Sequence, residues 1–317
     1  MAPATAASMD WWQAALLGLI EGITEYLPVS STGHLIIGSA LLGLDDPGRK
    51  PAIDAFNIVV QGGAILAVLG LYRARVAQML RGLIGRDRAG RRLLLLLLVA
   101  FAPAAVVGAP LNDRIERLLF HPAPVLLALA VGGVYMIILD RKLIGPMREA
   151  DRVAEARGEH AGHEHDLAAM SFRAALVIGL LQTVAMWPGT SRSMMTITAG
   201  VLVGLRPRQA AEFSFLLGLP TLTAATGYTL LKDLAGDGPS MFDVLGVSPI
   251  LIGLAVATVS AAAAVRWLVR FLTRHGLAAF GWYRIALCAL LVGGVLTGFV
   301  DIQPAPTHDQ PHDIDSD

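Results

Sequence analysis

Apolar segments recurring along the whole chain constrain this fold more than any other feature. They fall near residues 11–28, 34–44, 54–72, 93–111, 123–139, 171–187, 193–204, 213–231, 248–265 and 282–300. Six of them (54–72, 93–111, 123–139, 213–231, 248–265 and 282–300) approach the roughly 20 residues that a helix needs to cross a hydrocarbon core. Hydrophobic residues make up 55% of the 317 positions and charged residues only 16%, with a mean hydropathy of +0.60. Such a chain is not solvated as an ordinary globule and reads as an all-α polytopic membrane protein.

Two segments, 34–44 and 193–204, are too short to span. Each follows a polar break containing proline, Pro28 to His34 in one case and Pro188 to Ser193 in the other. A short apolar helix after a polar break predicts a re-entrant helical hairpin, since irregular backbone at membrane depth survives only inside protein or beside a wet cavity. The chain also repeats. Leu17-Gly18-Leu19-Ile20-Glu21 matches Ile178-Gly179-Leu180-Leu181-Gln182, and Val131-Gly132-Gly133-Val134 matches Val292-Gly293-Gly294-Val295, both at an offset of 161 residues. Between them, Pro28-Val29-Ser30-Ser31-Thr32 corresponds to Pro188-Gly189-Thr190-Ser191-Arg192, one residue out of step. The expected architecture is a single membrane domain of two repeats, 11–140 and 171–300. Each repeat holds one hairpin and three spanning helices. An odd number of crossings makes the repeats oppositely oriented, an inverted-topology repeat.

Positive charge sets the orientation. The connection 73–92 carries Arg73, Arg75, Arg81, Arg86, Arg88, Arg91 and Arg92, so it is expected on the cytoplasmic side. Counting onward, 141–170, 205–212 and 266–281 also lie inside. Segments 112–122 and 232–247, the acidic tail after Asp301 and both termini lie outside. The 141–170 segment reads as a solvated loop joining the repeats. Its His160, His163 and His165 could bind a metal but fit a solvated loop better. Residues 302–317 read as disordered. The formal net charge is zero, which gives no reason to expect a nucleic-acid partner. The lone Cys288 excludes an intramolecular disulfide framework and a cysteine-built metal site. No secretory signal peptide is read, because the first ten residues hold no Lys or Arg.

Polar residues inside this apolar frame mark the candidate site. Glu21 and Glu25 stand four residues apart, so a helix presents both carboxylates on one face. An ionised carboxylate in hydrocarbon is costly, and an intramembrane acid pair is a functional site by default. Ser30, Ser31, Thr32 and His34 follow at once. In the second break, Thr190, Ser191 and Ser193 surround Arg192 beside Gly189. Arginine suits phosphate because its planar fork donates to two oxygens, and amides at the start of the next helix add anion-binding donors. The plainer alternative is an Arg192 paired with Glu21 or Glu25 only to satisfy charge. Gln61 and Glu212, at helix mouths, fit either a supporting role at the site or simple helix ends.

The blocks Glu21-Gly22-Ile23-Thr24-Glu25-Tyr26-Leu27-Pro28-Val29-Ser30-Ser31-Thr32-Gly33-His34 and Pro188-Gly189-Thr190-Ser191-Arg192-Ser193, with the repeat around them, resemble the bacitracin-resistance family of undecaprenyl-diphosphate phosphatases over roughly residues 11 to 300. That resemblance implies a bacterial inner-membrane enzyme hydrolysing undecaprenyl diphosphate to the monophosphate. This step recycles the lipid carrier for peptidoglycan synthesis. It also implies an active site open to the periplasmic side and bacitracin resistance as the phenotype. One departure is Met194, where the family has a small residue, usually glycine.

Carried over residue by residue, the resemblance implies that Glu21, Glu25, Ser31, His34 and Arg192 are catalytic. Arg192 would clamp phosphate, with Ser30, Thr32, Thr190, Ser191 and Ser193 as further phosphate-binding donors. Glu21 and Glu25 would hold a divalent cation, Mg²⁺ or Ca²⁺, since hard oxygen ligands suit those ions. Ser31 is the candidate nucleophile, with His34 as its general base or as acid for the leaving phosphate. A metal-bound water attacking directly is the alternative, and the residues do not separate the two. The expected partners are the polyprenyl diphosphate and the bilayer. The oligomeric state, a homodimer included, is open. The competing function class is an ion-coupled transporter or flippase of polyprenyl phosphate, because broken helices in inverted repeats also build secondary transporters.

Overall fold

The computed structural model describes residues 9–298 apart from Asp45, Pro47, residues 158–165 and Asp237. Every regular element among them is helical. In chain order the helices are α1 (Trp11–Thr24), α2 (Ser31–Leu41), α3 (Lys50–Leu71), α4 (Arg73–Leu83), α5 (Arg88–Leu119), α6 (Pro122–Leu139), α7 (Gly145–Ala156), α8 (Phe172–Val184), α9 (Arg192–Leu202), α10 (Pro207–Ala235), α11 (Met241–Leu245), α12 (Val247–His275) and α13 (Ala278–Leu296). Among the described residues, six stretches are long and apolar enough to cross a membrane: Lys50–Leu71, Arg88–Gly108, Pro122–Val153, Pro207–Ala235, Val247–His275 and Ala278–Leu296. The chain is a multi-pass membrane protein. Proline opens the first turn of α3, α6 and α10, where its missing N–H would have had no intrahelical partner.

Helices α2 and α9 are both 11 residues long, and their starting residues, Ser31 and Arg192, differ by the same 161 positions as the sequence matches. The packing repeats as well. Helix α1 lies on α12 while α8 lies on α5, and α3 meets α10 as α6 meets α13. The first helix of each half therefore docks on the other half. Small residues allow that close approach. A side chain at Gly18 would collide with the backbone of Gly253, and one at Gly179 with the carbonyl of Ala100.

The connections are more ordered than a loop reading of the sequence implies. Within 73–92, α4 is an amphipathic helix that buries Met79 and Gly82. Within 141–170, a π-helical turn (Asp140–Ile144) runs into α7, and a short 3₁₀ turn (Leu167–Ala169) precedes α8. Buried Asp140 accepts from the Leu277 N–H at 2.9 Å and pairs with Arg148 at 3.5 Å, which ties this connection to the start of α13. His160, His163, His165 and the 302–317 tail lie outside the described residues.

Candidate active site

Helix α1 ends one residue before Glu25, whose backbone N–H still bonds the Glu21 carbonyl at 2.9 Å. The pair therefore sits on the last turn, one above the other. Residues 26–30 then break the helix, and 185–191 do the same before α9. Both breaks end on a serine with left-handed backbone, Ser30 at φ 73° and Ser191 at φ 77°; among the described residues these are the only non-glycine positions with positive φ. Each costs on the order of 1–3 kcal/mol, and such strain persists only where the surroundings enforce it.

The two breaks meet. Ser193 Oγ donates to the Leu27 carbonyl at 2.9 Å, and Arg192 Nη2 donates to Glu25 Oε1 at 2.9 Å. Arg192 is seated from three further sides. Its Nη1 donates to the Ser214 carbonyl at 3.1 Å, and its guanidinium lies 5.3 Å from the Tyr26 ring centre. The third side is Gly218, where a Cβ would come within 3.1 Å of Nη1. The Tyr26 hydroxyl is anchored in turn on the Ala64 carbonyl at 3.1 Å. Glu25 Oε2 accepts from Ser31 Oγ at 3.0 Å. One carboxylate thus links the arginine of the second break to the hydroxyl of the first.

These groups border a cavity of about 170 Å³, with Glu25, Ser30, Ser31, Thr32, Ser191 and Arg192 in its wall and Gln61 beside them. The N-termini of α2 and α9 both open here, so backbone N–H groups without an intrahelical partner and two positive dipole ends converge on it. A larger cavity of about 320 Å³ shares Ser31, Thr32, Gln61 and Pro188, and its wall includes Leu35, Ile36, Ile53, Ile58, Ile115 and Phe120. Its wall also holds Ser39, Lys50, Asp54 and Asn57, so a polar pocket at two helix starts adjoins a larger one of mixed, mainly apolar lining, an arrangement with room for an amphipathic molecule.

Four of the expected site residues do not border the smaller cavity. Ser193 is used by the Leu27 carbonyl, and Thr190 is buried in the turn, its N–H bonded to the Trp187 carbonyl at 3.1 Å. His34 bonds the Ser30 carbonyl and the Tyr283 hydroxyl, each at 2.7 Å, so its hydrogen bonds go elsewhere than Ser31. Glu21 is sealed from solvent, and neither of its carboxyl oxygens has a hydrogen-bond partner; its charged neighbours are Glu25 and Arg192. A buried carboxylate without donors needs a proton or a cation. The adjacent acids thus fit a hard divalent ion, and such an ion would take its remaining ligands from hydroxyls, water or phosphate. Among the described residues no group of three His, Cys, Asp or Glu side chains could hold a metal. Glu212 belongs to another place: it accepts from Arg75 Nε at 3.0 Å, in a cluster with Asp166.

Residues 14–290 match the family described as bacitracin resistance protein BacA. The chain belongs to the BacA family. Relatives named undecaprenyl-diphosphatase include one from Sorangium cellulosum, 44% identical over 90% of this chain and 86% of its own. A second, from Methylococcus capsulatus, is 40% identical over 92% and 97%. Undecaprenyl-diphosphatase 2 of Rhodospirillum rubrum is 42% identical over 91% and 96%.

Two features of this BacA-family site were missed by the sequence reading. Arg284 is completely buried, and its Nη2 donates to the carbonyls of Gly189 and Ala128 at 2.8 and 2.9 Å, which holds the second break from behind. A lone arginine inside an apolar segment meets the criterion that singled out Arg192, so the signal was present. Tyr283 carries no such signal, since half-exposed tyrosines are common in membrane helices. Met194, the departure from the family pattern, is buried over Gly132, where a Cβ would lie 3.0 Å from its sulfur. Glycine opposite makes room for the larger side chain.

Proposed function

We propose that this protein hydrolyses undecaprenyl diphosphate to undecaprenyl phosphate and orthophosphate, recycling the lipid carrier for peptidoglycan synthesis and thereby conferring bacitracin resistance. One observation carries the reading: Arg192, Glu25 and Ser31 form a hydrogen-bonded chain at the mouths of two facing helices, in a chain that belongs to the BacA family. The protein sits in the bacterial inner membrane as an inverted repeat with two re-entrant hairpins, and its site faces the periplasmic side. The arginine-rich connection 73–92 supports that orientation.

Arg192 clamps the diphosphate, exchanging its bond to Glu25 for bonds to phosphate oxygens that gain charge as the anhydride breaks. Amides at the starts of α2 and α9 and the hydroxyls of Ser30, Thr32 and Ser191 take the remaining oxygens. Ser31 Oγ attacks the terminal phosphorus and passes its proton to Glu25 Oε2, which it already touches. The P–O bond to the lipid monophosphate breaks, and water then releases orthophosphate from the serine. Glu21 and Glu25 would hold Mg²⁺ or Ca²⁺, which when bound supplies positive charge against the diphosphate oxygens.

The test is orthophosphate release from farnesyl or undecaprenyl diphosphate by purified protein in detergent, with no ion gradient. Stoichiometric release is expected. No release, with gradient-driven movement of polyprenyl phosphate in vesicles, would make the protein a transporter instead.

A further inference from the structure

The two strained serines are held in place by different means. Ser191 caps its own helix, its Oγ accepting from the Met194 N–H at 3.3 Å. Ser30 makes no such bond, and its Oγ is buried without a partner at the edge of the small cavity. What the first break has instead is His34. Its Nδ1 lies 2.7 Å from the Ser30 carbonyl, and its Nε2 lies 2.7 Å from the hydroxyl of Tyr283, on α13 of the other half. A carbonyl only accepts, so Nδ1 carries the proton and Nε2 accepts from the tyrosine. Both nitrogens of a neutral imidazole are then used. The two rings lie parallel, with centres 5.6 Å apart and planes within 3°. The next residue, Arg284, holds the second break through the Gly189 carbonyl.

We propose that His34 and Tyr283 are a positioning pair: they lock the left-handed turn at Ser30, leaving the Ser30 hydroxyl free for the diphosphate and the Ser31 hydroxyl on Glu25. This rests on the phosphatase reading above. On this assignment His34 moves no proton in the reaction, and Tyr283 acts through it from the other end of the sequence.

Asparagine and glutamine in place of His34 test the assignment, because neither titrates. Asparagine sets an amide N–H where Nδ1 stood, whereas glutamine sets one nearer Nε2. His34→Asn should keep kcat within about tenfold of wild type, while His34→Gln should fall about 100-fold, the scale of a misplacement near 1 Å. Tyr283→Phe should lower kcat several-fold, with the melting temperature and the shape of the kcat pH profile unchanged. A general base would behave otherwise. His34→Asn and His34→Gln would then fall together by 10²–10⁴-fold, and the acid limb of the profile would disappear. Equal loss in both, or wild-type kcat in Tyr283→Phe, overturns the pair. Should His34→Gln fail to fold, the ranking of His34→Asn and Tyr283→Phe against wild type still decides. Absence of orthophosphate release by the wild type would be a different result, counting against the phosphatase reading itself.

Discussion

The two helix breaks share one backbone and carry opposite chemistry. Ser30 and Ser191 have nearly the same φ, and the helices they start have the same length. At the shared offset, Glu21 faces Gln182, Glu25 faces Met186, Ser31 faces Arg192 and His34 faces Met195. One break holds the acids and the hydroxyl; the other holds the cation. On the function proposed above, two matched breaks would offer two helix N-termini to an anion, and their differing side chains would offer a proton acceptor from one side and a clamp from the other. The strained serine is common to both breaks, whereas the residue after it differs.

The sharpest way to break the comparison is Glu25, the link between the halves. Glu25→Gln removes the acceptor for Ser31 and the counter-charge for Arg192 together. Turnover should fall by about 10³-fold or more, given 10²–10⁴-fold for proton transfer alone. Phosphate release measured on folded, inserted protein checks this, and near-normal turnover would dissolve the proposed division of labour. Glu21→Gln copies the residue its counterpart already has. If Glu21 and Glu25 hold a cation, EDTA should bring wild type down to the rate of Glu21→Gln, and Mg²⁺ or Ca²⁺ should restore it. A wild type indifferent to EDTA would leave the carboxyl of Glu21 holding a proton. Gly218→Ala is gentler: its Cβ would press on the guanidinium at 3.1–3.3 Å. It should lower kcat by about tenfold with little change in melting temperature, while Gly70→Ala, with nothing within 4 Å, should do nothing. The smallest effect on activity is expected from single cysteines at Arg86 and Gly238 in a Cys288→Ala background. A membrane-impermeant thiol reagent applied to intact cells should label position 238 and spare position 86. The reverse pattern would turn the site toward the cytoplasm.

Much of this was legible in the sequence because hydrocarbon makes polar residues conspicuous. Glu21, Glu25 and Arg192 stand out in apolar runs, and the six spanning helices follow from segment length. Gln61, read as either support or helix end, borders the smaller cavity, whereas Glu212 serves an ion-pair cluster with Arg75. Partnerships between distant segments were not legible. His34 and Tyr283 are 249 residues apart, and no local pattern joins them. The Ser31–Glu25 bond closes over the five-residue break 26–30, whose path depends on left-handed serine backbone, which sequence does not announce. The alignment of Pro28 with Pro188 placed the breaks one residue out of step, yet α2 and α9 begin in register, each directly after a serine with left-handed backbone.

The central claim is that Arg192 acts on the phosphate and does more than neutralise Glu25. The direct measurement is kcat, KM and melting temperature for Arg192→Lys and Arg192→Ala with undecaprenyl diphosphate. Lysine keeps the charge but loses the fork, so Arg192→Lys should lower kcat on the order of 10²-fold, the scale of one preorganised donor, while KM and melting temperature stay close to wild type. Arg192→Ala should lose more, because Glu25 then has no neutralising neighbour. Wild-type turnover in Arg192→Lys, with Arg192→Ala losing only stability, would reduce Arg192 to a structural ion pair and contradict the account.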